Sequence, residues 1–284
     1  VESSPRNLAG LYRLLGQYAD SENRSIRALD IWCASLPPDH PEIALGKNNL
    51  AVLYQTQGRF MEAETLFSEA LLLARKALPQ GHPEIGGYLN NLADVARERE
   101  RYADAESYLR EALAIVYAAY PEGHSKTVIY VNNLASLCHV LGRFTEAEAY
   151  YKQALELGGQ CLPQDHPDIA MGLNNLGSLY QAQGRYAEAE ALYQEALSYL
   201  RQALPEIHKD IADCLNNLGQ LCDSQQRYGE AEQHYQAALT MYQQIMPPGH
   251  TVIAEALSSL GCVYEKQGRT VEAISMLGEA LNIF

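Results

Sequence analysis

Residues 174–186 read NNLGSLYQAQGRY, and the Asn-Asn-Leu that opens this stretch recurs along the chain at an unchanged spacing. It occurs at residues 48–50, 90–92, 132–134, 174–176 and 216–218, so each copy follows the last by 42 residues. Degenerate copies keep the same register at residues 6–8 (Arg-Asn-Leu) and 258–260 (Ser-Ser-Leu). Because a strict period of this length marks a repeat array, we expect residues 1–284 to form a single domain. We place the seven repeats at residues 1–38, 39–80, 81–122, 123–164, 165–206, 207–248 and 249–284.

Each repeat reads as two helices, which we call helix A and helix B. In the fifth repeat, His166 and Pro167 supply a polar cap and a proline at the first helical position, where helix A should begin. Apolar residues then recur at the helical period until Gly184, which predicts a left-handed stop. Helix B should begin at Tyr186 and end before Pro205. The sequence therefore predicts an all-α fold of about seven helix-turn-helix repeats.

Composition and charge restrict the partners. The chain is 47% hydrophobic, has a formal net charge of −14, and contains no apolar run near the ~18 residues of a membrane span. Because this charge repels phosphate and acidic lipid headgroups, we expect protein partners rather than nucleic acid or a membrane. The six cysteines show no CxxC pattern, so we interpret them as small core residues of a cytoplasmic protein. Without an initiator Met or a signal pattern, we expect a fragment of a longer protein.

We predict no enzymatic activity, cofactor or metal site. One histidine per repeat recurs at positions 40, 82, 124, 166, 208 and 250, about a helix diameter from the next, so we interpret these residues as caps of helix A. One arginine per repeat recurs at positions 59, 101, 143, 185, 227 and 269, where we expect pairing with the glutamates of helix B in the same repeat. The sequence contains no GxxxxGK[ST], GxSxG or HExxH motif.

Two stretches of the fifth repeat resemble the tetratricopeptide repeat family. They are residues 175–180, NLGSLY, and residues 184–190, GRYAEAE. The family's common repeat has about 34 residues, whereas the 42-residue period, the doubled Asn and the linker LPQDHPDIA at 162–170 are similar to the variant in kinesin light chains. Similar repeats are fused in bacteria to signalling ATPases and caspase-like proteases. The resemblance implies a right-handed superhelical α-solenoid whose A helices line a concave groove.

If that resemblance holds, the doubled asparagines face the groove. An Asn amide both donates and accepts hydrogen bonds and so matches any peptide backbone. Helices ~8–10 Å apart would pass about three residues of an extended chain per repeat. Alternatively, one Asn of each pair bonds to the neighbouring repeat and sets the superhelix. The candidate groove residues are Asn48, Asn49, Asn90, Asn91, Asn132, Asn133, Asn174, Asn175, Asn216, Asn217, Arg97, His139, Gln181 and Asp223.

Charges that vary between repeats suggest a polar groove. Basic residues lie in the first four repeats at Arg6, Arg13, Arg97 and His139, and acidic residues in the last three at Asp213, Asp223, Glu255 and Glu265, with Asp94, Glu98 and Lys266 breaking the trend. Ordinary surface variation explains this distribution equally well.

Three functions remain open at the level of sequence. The first is an adaptor that binds an extended peptide in its groove, as kinesin light chains bind cargo. The second is a ligand-sensing or regulatory module of a larger signalling ATPase or caspase-like protease. The third is an architectural array that self-associates through its terminal repeats.

Overall fold

A computed structural model describes residues 18–121, 123–163 and 165–283, and within them the chain forms thirteen α-helices and no strand. The chain divides into two compact units, residues 1–141 and 142–284. Unit 1 contains α1 (Tyr18–Ser35), α2 (Pro41–Thr56), α3 (Phe60–Ala77), α4 (Pro83–Glu98), α5 (Tyr102–Ala119) and α6 (Ser125–Val140). Unit 2 contains α7 (Phe144–Cys161), α8 (Pro167–Ala182), α9 (Tyr186–Ala203), α10 (Lys209–Ser224), α11 (Tyr228–Ile245), α12 (Thr251–Lys266) and α13 (Thr270–Leu281).

The helices alternate as the sequence predicts. Even-numbered helices are the A helices and odd-numbered helices are the B helices; each described A helix of repeats 2, 3, 5, 6 and 7 packs on the B helix that follows it. Each of the B helices α1, α3 and α5 in unit 1, and α7, α9 and α11 in unit 2, packs on the next A helix. The predicted all-α fold of helix-turn-helix repeats is therefore confirmed. The extent of the domain stays a prediction, and Arg6 and Arg13 lie outside the described residues.

A histidine caps each described A helix, as predicted. His166 Nδ1 accepts a hydrogen bond from the backbone N–H of Asp168 at 3.2 Å, which satisfies a donor that the first helical turn leaves open. The same bond joins His40 to Glu42, His82 to Glu84, His124 to Lys126, His208 to Asp210 and His250 to Val252. The recurring histidines thus serve six separate helix ends.

In four repeats, a glycine in the left-handed backbone conformation follows the end of helix A. Gly184 has φ +75° and is followed by the bond from Arg185 N–H to Tyr180 O, which closes the helix end. Glycine holds the equivalent place at positions 58, 142 and 268, whereas Glu100 (φ 58°) and Gln226 (φ 61°) adopt the left-handed conformation with a side chain. The turn geometry is therefore kept even where the sequence signal for it is lost.

Small residues let the helices of a pair approach closely. Ala189 and Ala196 are fully buried in α9, and Tyr193 between them fills the space beside α8. A Cβ atom on Gly177 of α8 would lie 2.8 Å from the Tyr193 ring, and a Cβ on Gly219 would lie 2.8 Å from the Tyr235 ring. The glycine in the middle of these A helices is thus required by the aromatic ring of the paired B helix.

The recurring arginines join helices within and between repeats. Arg227 donates to Glu230 in its own repeat at 2.8 Å and to Glu190 of the preceding repeat at 2.9 Å. The same double pairing joins Arg59 to Glu62 and Glu22, Arg101 to Asp104 and Glu64, Arg185 to Glu188 and Glu148, and Arg269 to Glu272 and Glu232. The prediction of pairing within a repeat is confirmed, and the second carboxylate, 37 residues earlier, is an addition to it.

The cysteines are free, but their interpretation as core residues is only half right. Cys138, Cys214 and Cys222 are buried and Cys161 is half-buried, whereas Cys33 and Cys262 are exposed. Burial raises the pKa of Cys214 to about 12, so its thiol stays protonated and donates to the Tyr193 carbonyl oxygen at 3.3 Å. In the described part of the chain no helix is long and apolar enough to span a bilayer.

Candidate functional site

The asparagines of unit 1 form hydrogen bonds between successive A helices. Asn91 Nδ2 on α4 donates to Asn48 Oδ1 on α2 at 2.8 Å, and Asn133 Nδ2 on α6 donates to Asn90 Oδ1 on α4 at 2.8 Å. In both bonds the second Asn of one repeat donates to the first Asn of the repeat before it. We call the side of α2, α4 and α6 that carries these residues the Asn face of unit 1.

Unit 2 repeats this arrangement. Asn217 Nδ2 on α10 donates to Asn174 Oδ1 on α8 at 3.1 Å, so α8 and α10 carry the Asn face of unit 2, together with Asn175 and Asn216. Ser259 follows in the place of the next donor, but its hydroxyl bonds to the Glu255 carbonyl of its own helix. The doubled asparagines therefore link neighbouring repeats, as the alternative interpretation of the sequence predicts.

These bonds use only part of each amide. One Asn–Asn bond consumes one N–H of the donor and one lone pair of the acceptor, while an amide offers two of each. Asn91 Oδ1 and Asn48 Nδ2 make no other hydrogen bond in the described part of the chain. The only side-chain atom there that is both buried and without a hydrogen-bond partner is Thr127 Oγ1, so these two amide atoms reach solvent. A rung of the Asn face therefore presents both an acceptor and a donor to solvent.

The asparagines differ in exposure. Asn90 and Asn132 are buried, at 9% and 3% exposure, whereas Asn49 is exposed. Asn48, Asn91, Asn133, Asn174, Asn175, Asn216 and Asn217 are half-buried. Asn49 in unit 1 and Asn216 in unit 2 have no side-chain hydrogen bond within the described residues. Asn49 therefore offers the most accessible amide.

The remaining predicted groove residues lie on the A helices, and three of them already form hydrogen bonds with other side chains of the chain. Arg97 on α4 donates to Glu98 at 3.0 Å, Gln181 on α8 accepts from the Tyr193 hydroxyl at 3.0 Å, and Asp223 on α10 accepts from Lys266 at 2.7 Å. His139 on α6 is half-buried, and this burial lowers its pKa.

The acidic residues of the last repeats are partly neutralised. Asp213 accepts from Lys209 at 2.5 Å and from the Tyr242 hydroxyl at 2.7 Å, and Asp223 is paired with Lys266. Glu255 and Glu265 are exposed. A segment bound here would meet fewer unpaired carboxylates than the count of acidic residues suggests.

Sequence reasoning missed the environment of Asp94. This residue lies on α4 one turn after the Asn91 position and is half-buried. Burial raises the pKa of its carboxyl to about 6, with Arg97 lowering it and Glu98 raising it. The local sequence gives no signal for this burial.

Stacked helix pairs that each pack on their neighbours are typical of helical repeat proteins, and this chain belongs to that class. One family model described as tetratricopeptide repeat matches residues 42–118, 126–202, 168–244 and 210–284, and a second model of that description matches residues 6–42. The chain belongs to the tetratricopeptide repeat family. It is accordingly a protein–protein interaction scaffold of a family that is generally non-catalytic, and its partners are proteins.

Solved structures share this fold. A protein from Podosopora anserina described as kinesin light chain nearly identical TPR-like repeats is 23% identical, with a TM-score of 0.59, over 70% of this chain and 94% of that one. A chain of the APC/C hetero-tetramer Cut9–Hcn1 is 19% identical, with a TM-score of 0.66, over 92% of this chain and 43% of that one. At these identities the likeness concerns the fold alone. None of the curated proteins matches the chain.

Proposed function

We propose that the Asn faces bind an extended segment of a partner protein, which makes this chain a peptide-binding adaptor. The observation that carries the proposal is the spare donor and acceptor on each Asn–Asn rung, exemplified by Asn48 Nδ2 and Asn91 Oδ1. A peptide bond presents one N–H and one C=O, which complement this pair whatever the side chains of the segment.

The spacing of the rungs supports an extended ligand. Packed helices lie ~8–10 Å apart, and an extended chain rises ~3.3 Å per residue, so about three residues separate the backbone groups that meet successive rungs. The Asn–Asn bonds also hold the amides in place before a ligand arrives, which reduces the entropy lost on binding. A cargo adaptor of the kinesin-light-chain type, which the 42-residue repeat resembles, fits such a site.

Self-association through a terminal repeat has one supporting observation. Val271, Ile274 and Leu281 project from α13 with 83%, 67% and 75% of their surfaces exposed. Sedimentation equilibrium of the wild-type chain and of a Val271→Ser, Ile274→Ser variant tests it, since a dimer through this helix is lost only in the variant. A regulatory role in a larger protein and a cytoplasmic location stay predictions.

A peptide-display selection on the purified chain tests the adaptor proposal. The wild-type chain is compared with an Asn91→Ala, Asn133→Ala variant, which removes two rungs of unit 1. We expect each selected peptide that binds unit 1 to lose at least about tenfold in affinity, since each rung contributes hydrogen bonds to the backbone.

A matched control separates binding from folding. Gln194 and Gln236 are exposed amides on the B helices α9 and α11, and their replacement by Ala should leave affinity unchanged. Helicity and melting temperature are measured for every variant, because the Asn–Asn bonds also join repeats. Peptides that bind the wild-type chain and the Asn variant equally would contradict the proposal.

A further inference from the structure

A single carboxylate on the Asn face of unit 1 has no counter-charge bonded to it. Asp94 follows Asn91 by three residues and Asn90 by four on α4, which places all three on one side of the helix. Asp94 is half-buried, and within the described residues its carboxylate accepts no hydrogen bond and forms no ion pair. Its oxygens reach solvent, since the only buried side-chain atom without a partner among the described residues is Thr127 Oγ1. This half-buried carboxylate is therefore open to an incoming cation.

The nearest cation is engaged elsewhere. Arg97 donates to Glu98 at 3.0 Å rather than to Asp94. Arg97 and Glu98, both on α4, are the charged groups that act on the Asp94 carboxyl. Among the described residues of α2, α3, α5 and α6, the helices that contact α4, none does. Desolvation outweighs Arg97, which is why the pKa of Asp94 lies near 6.

The repeat fold does not require a carboxylate at this position. The equivalent positions of the other described A helices hold Val52, Ser136, Ser178, Gln220 and Cys262, all uncharged. Five A helices therefore form without an acid at this place. By contrast, Asp213 and Asp223 in unit 2 each have a lysine bonded to them.

We propose that Asp94 receives a lysine or arginine side chain of the segment that binds the Asn face of unit 1. The inference rests on the proposed function, because the Asn rungs on either side would hold the backbone from which that side chain extends. A cation here pairs with a carboxylate that is already half-buried in the free protein, so pairing gains more than it would at a fully exposed acid. The ligand is accordingly a basic peptide segment, which agrees with the net charge of −14.

The test pairs one substitution in the protein with one in the peptide. Peptides are selected by display on the wild-type chain at neutral pH, and a basic residue should recur at one fixed position. Asp94→Asn keeps the shape and removes the charge; we expect it to weaken the selected peptide by at least about tenfold. A peptide whose recurring basic residue is replaced by Gln should bind both chains equally, which identifies the pair.

A pH series gives a second readout. Cation binding favours the ionised carboxyl, so affinity for the wild-type chain should fall as pH drops below about 6, the pKa of free Asp94. The affinity of the Asp94→Asn chain should not fall in this pH range. Asp223→Asn, at an acid already bonded to Lys266, is the control and should leave the affinity of unit 1 peptides unchanged.

The outcomes separate the two claims. Selected peptides that depend on Asn91 and Asn133 but carry no recurring basic residue, or bind Asp94→Asn equally well, would overturn the inference and leave the adaptor proposal standing. Peptides that ignore the Asn substitutions, or a failure to select any peptide, would overturn the adaptor proposal and this inference with it.

Discussion

The paired asparagines join neighbouring repeats and keep part of their hydrogen-bonding capacity free. The amide of Asn91 bonds to Asn48 of the preceding repeat and still offers its oxygen to solvent. The sequence predicts both uses of the doubled asparagines but cannot choose between them, because the choice depends on a distance between residues 43 positions apart. The structure shows the bond between repeats, and the spare capacity of the amides leaves the binding role as a proposal.

The buried hydroxyl of Thr127 makes no hydrogen bond. The residue lies on α6 and is fully buried. The equivalent positions of the other described repeats hold Ile43, Ile85, Ile169, Ile211 and Ile253. Thr127→Val has the same shape without the hydroxyl, so we expect it to raise the free energy of unfolding by about 1 kcal/mol.

Thermal and urea unfolding of this variant check the expectation. Thr65→Val is the control, since Thr65 is exposed on α3 and its hydroxyl bonds to the Met61 carbonyl. The control should change stability by no more than about 0.5 kcal/mol. A Thr127→Val chain that is less stable than the wild type would show that the hydroxyl has a partner in solution.

Asp94 should make stability depend on pH in a defined window. Its pKa is about 6 in the folded chain, against about 3.9 in an unfolded one, so the folded state binds the proton more tightly. Its ionisation therefore destabilises the fold above about pH 6, and this cost disappears as pH falls towards about 4. The wild type should gain up to about 3 kcal/mol in that window relative to Asp94→Asn.

Urea unfolding of both chains across this range measures the difference, because the other titrating groups are common to both. Identical pH profiles for the wild type and Asp94→Asn would mean that the carboxyl is solvated in the folded protein.

At the scale of helices, local sequence signals perform well because the forces behind them are local. The histidine cap, the proline, the stop glycine and the apolar period predict α8 and α9, and the structure begins and ends these helices where expected. Local sequence signals do not predict the contacts between repeats. The pairing of Arg227 with Glu190 spans 37 residues, and only the packing of one repeat on the next brings the two side chains together.

Two glycines within helices should respond to the same substitution with opposite signs. Gly219→Ala on α10 places a Cβ 2.8 Å from the buried Tyr235 ring, so we expect a loss of about 1–3 kcal/mol. Gly278→Ala on α13 meets nothing within 4 Å and should gain up to about 1 kcal/mol, because Ala favours the helix. Melting temperatures of the two variants against the wild type measure both effects, and a gain for Gly219→Ala would refute the close approach.

At the scale of the molecule, the period of 42 residues predicts the class of protein but not its ligand. Repeats 2 to 7 share the histidine that begins helix A and the arginine that precedes helix B, which is why their fold follows from one repeat. We propose that specificity resides in residues such as Asp94 that break the period. A net charge of −14 adds a general preference for basic partners, which salt should weaken.

The measurement that tests the central claim most directly is the nuclear magnetic resonance spectrum of the side-chain amides during titration with a display-selected peptide. We predict that the amide resonances of Asn91 and Asn133 shift on binding to unit 1 while those of Gln194 and Gln236 on the B helices stay in place. Shifts confined to the B-helix amides, with the Asn resonances unmoved, would contradict the claim that the Asn face is the binding site.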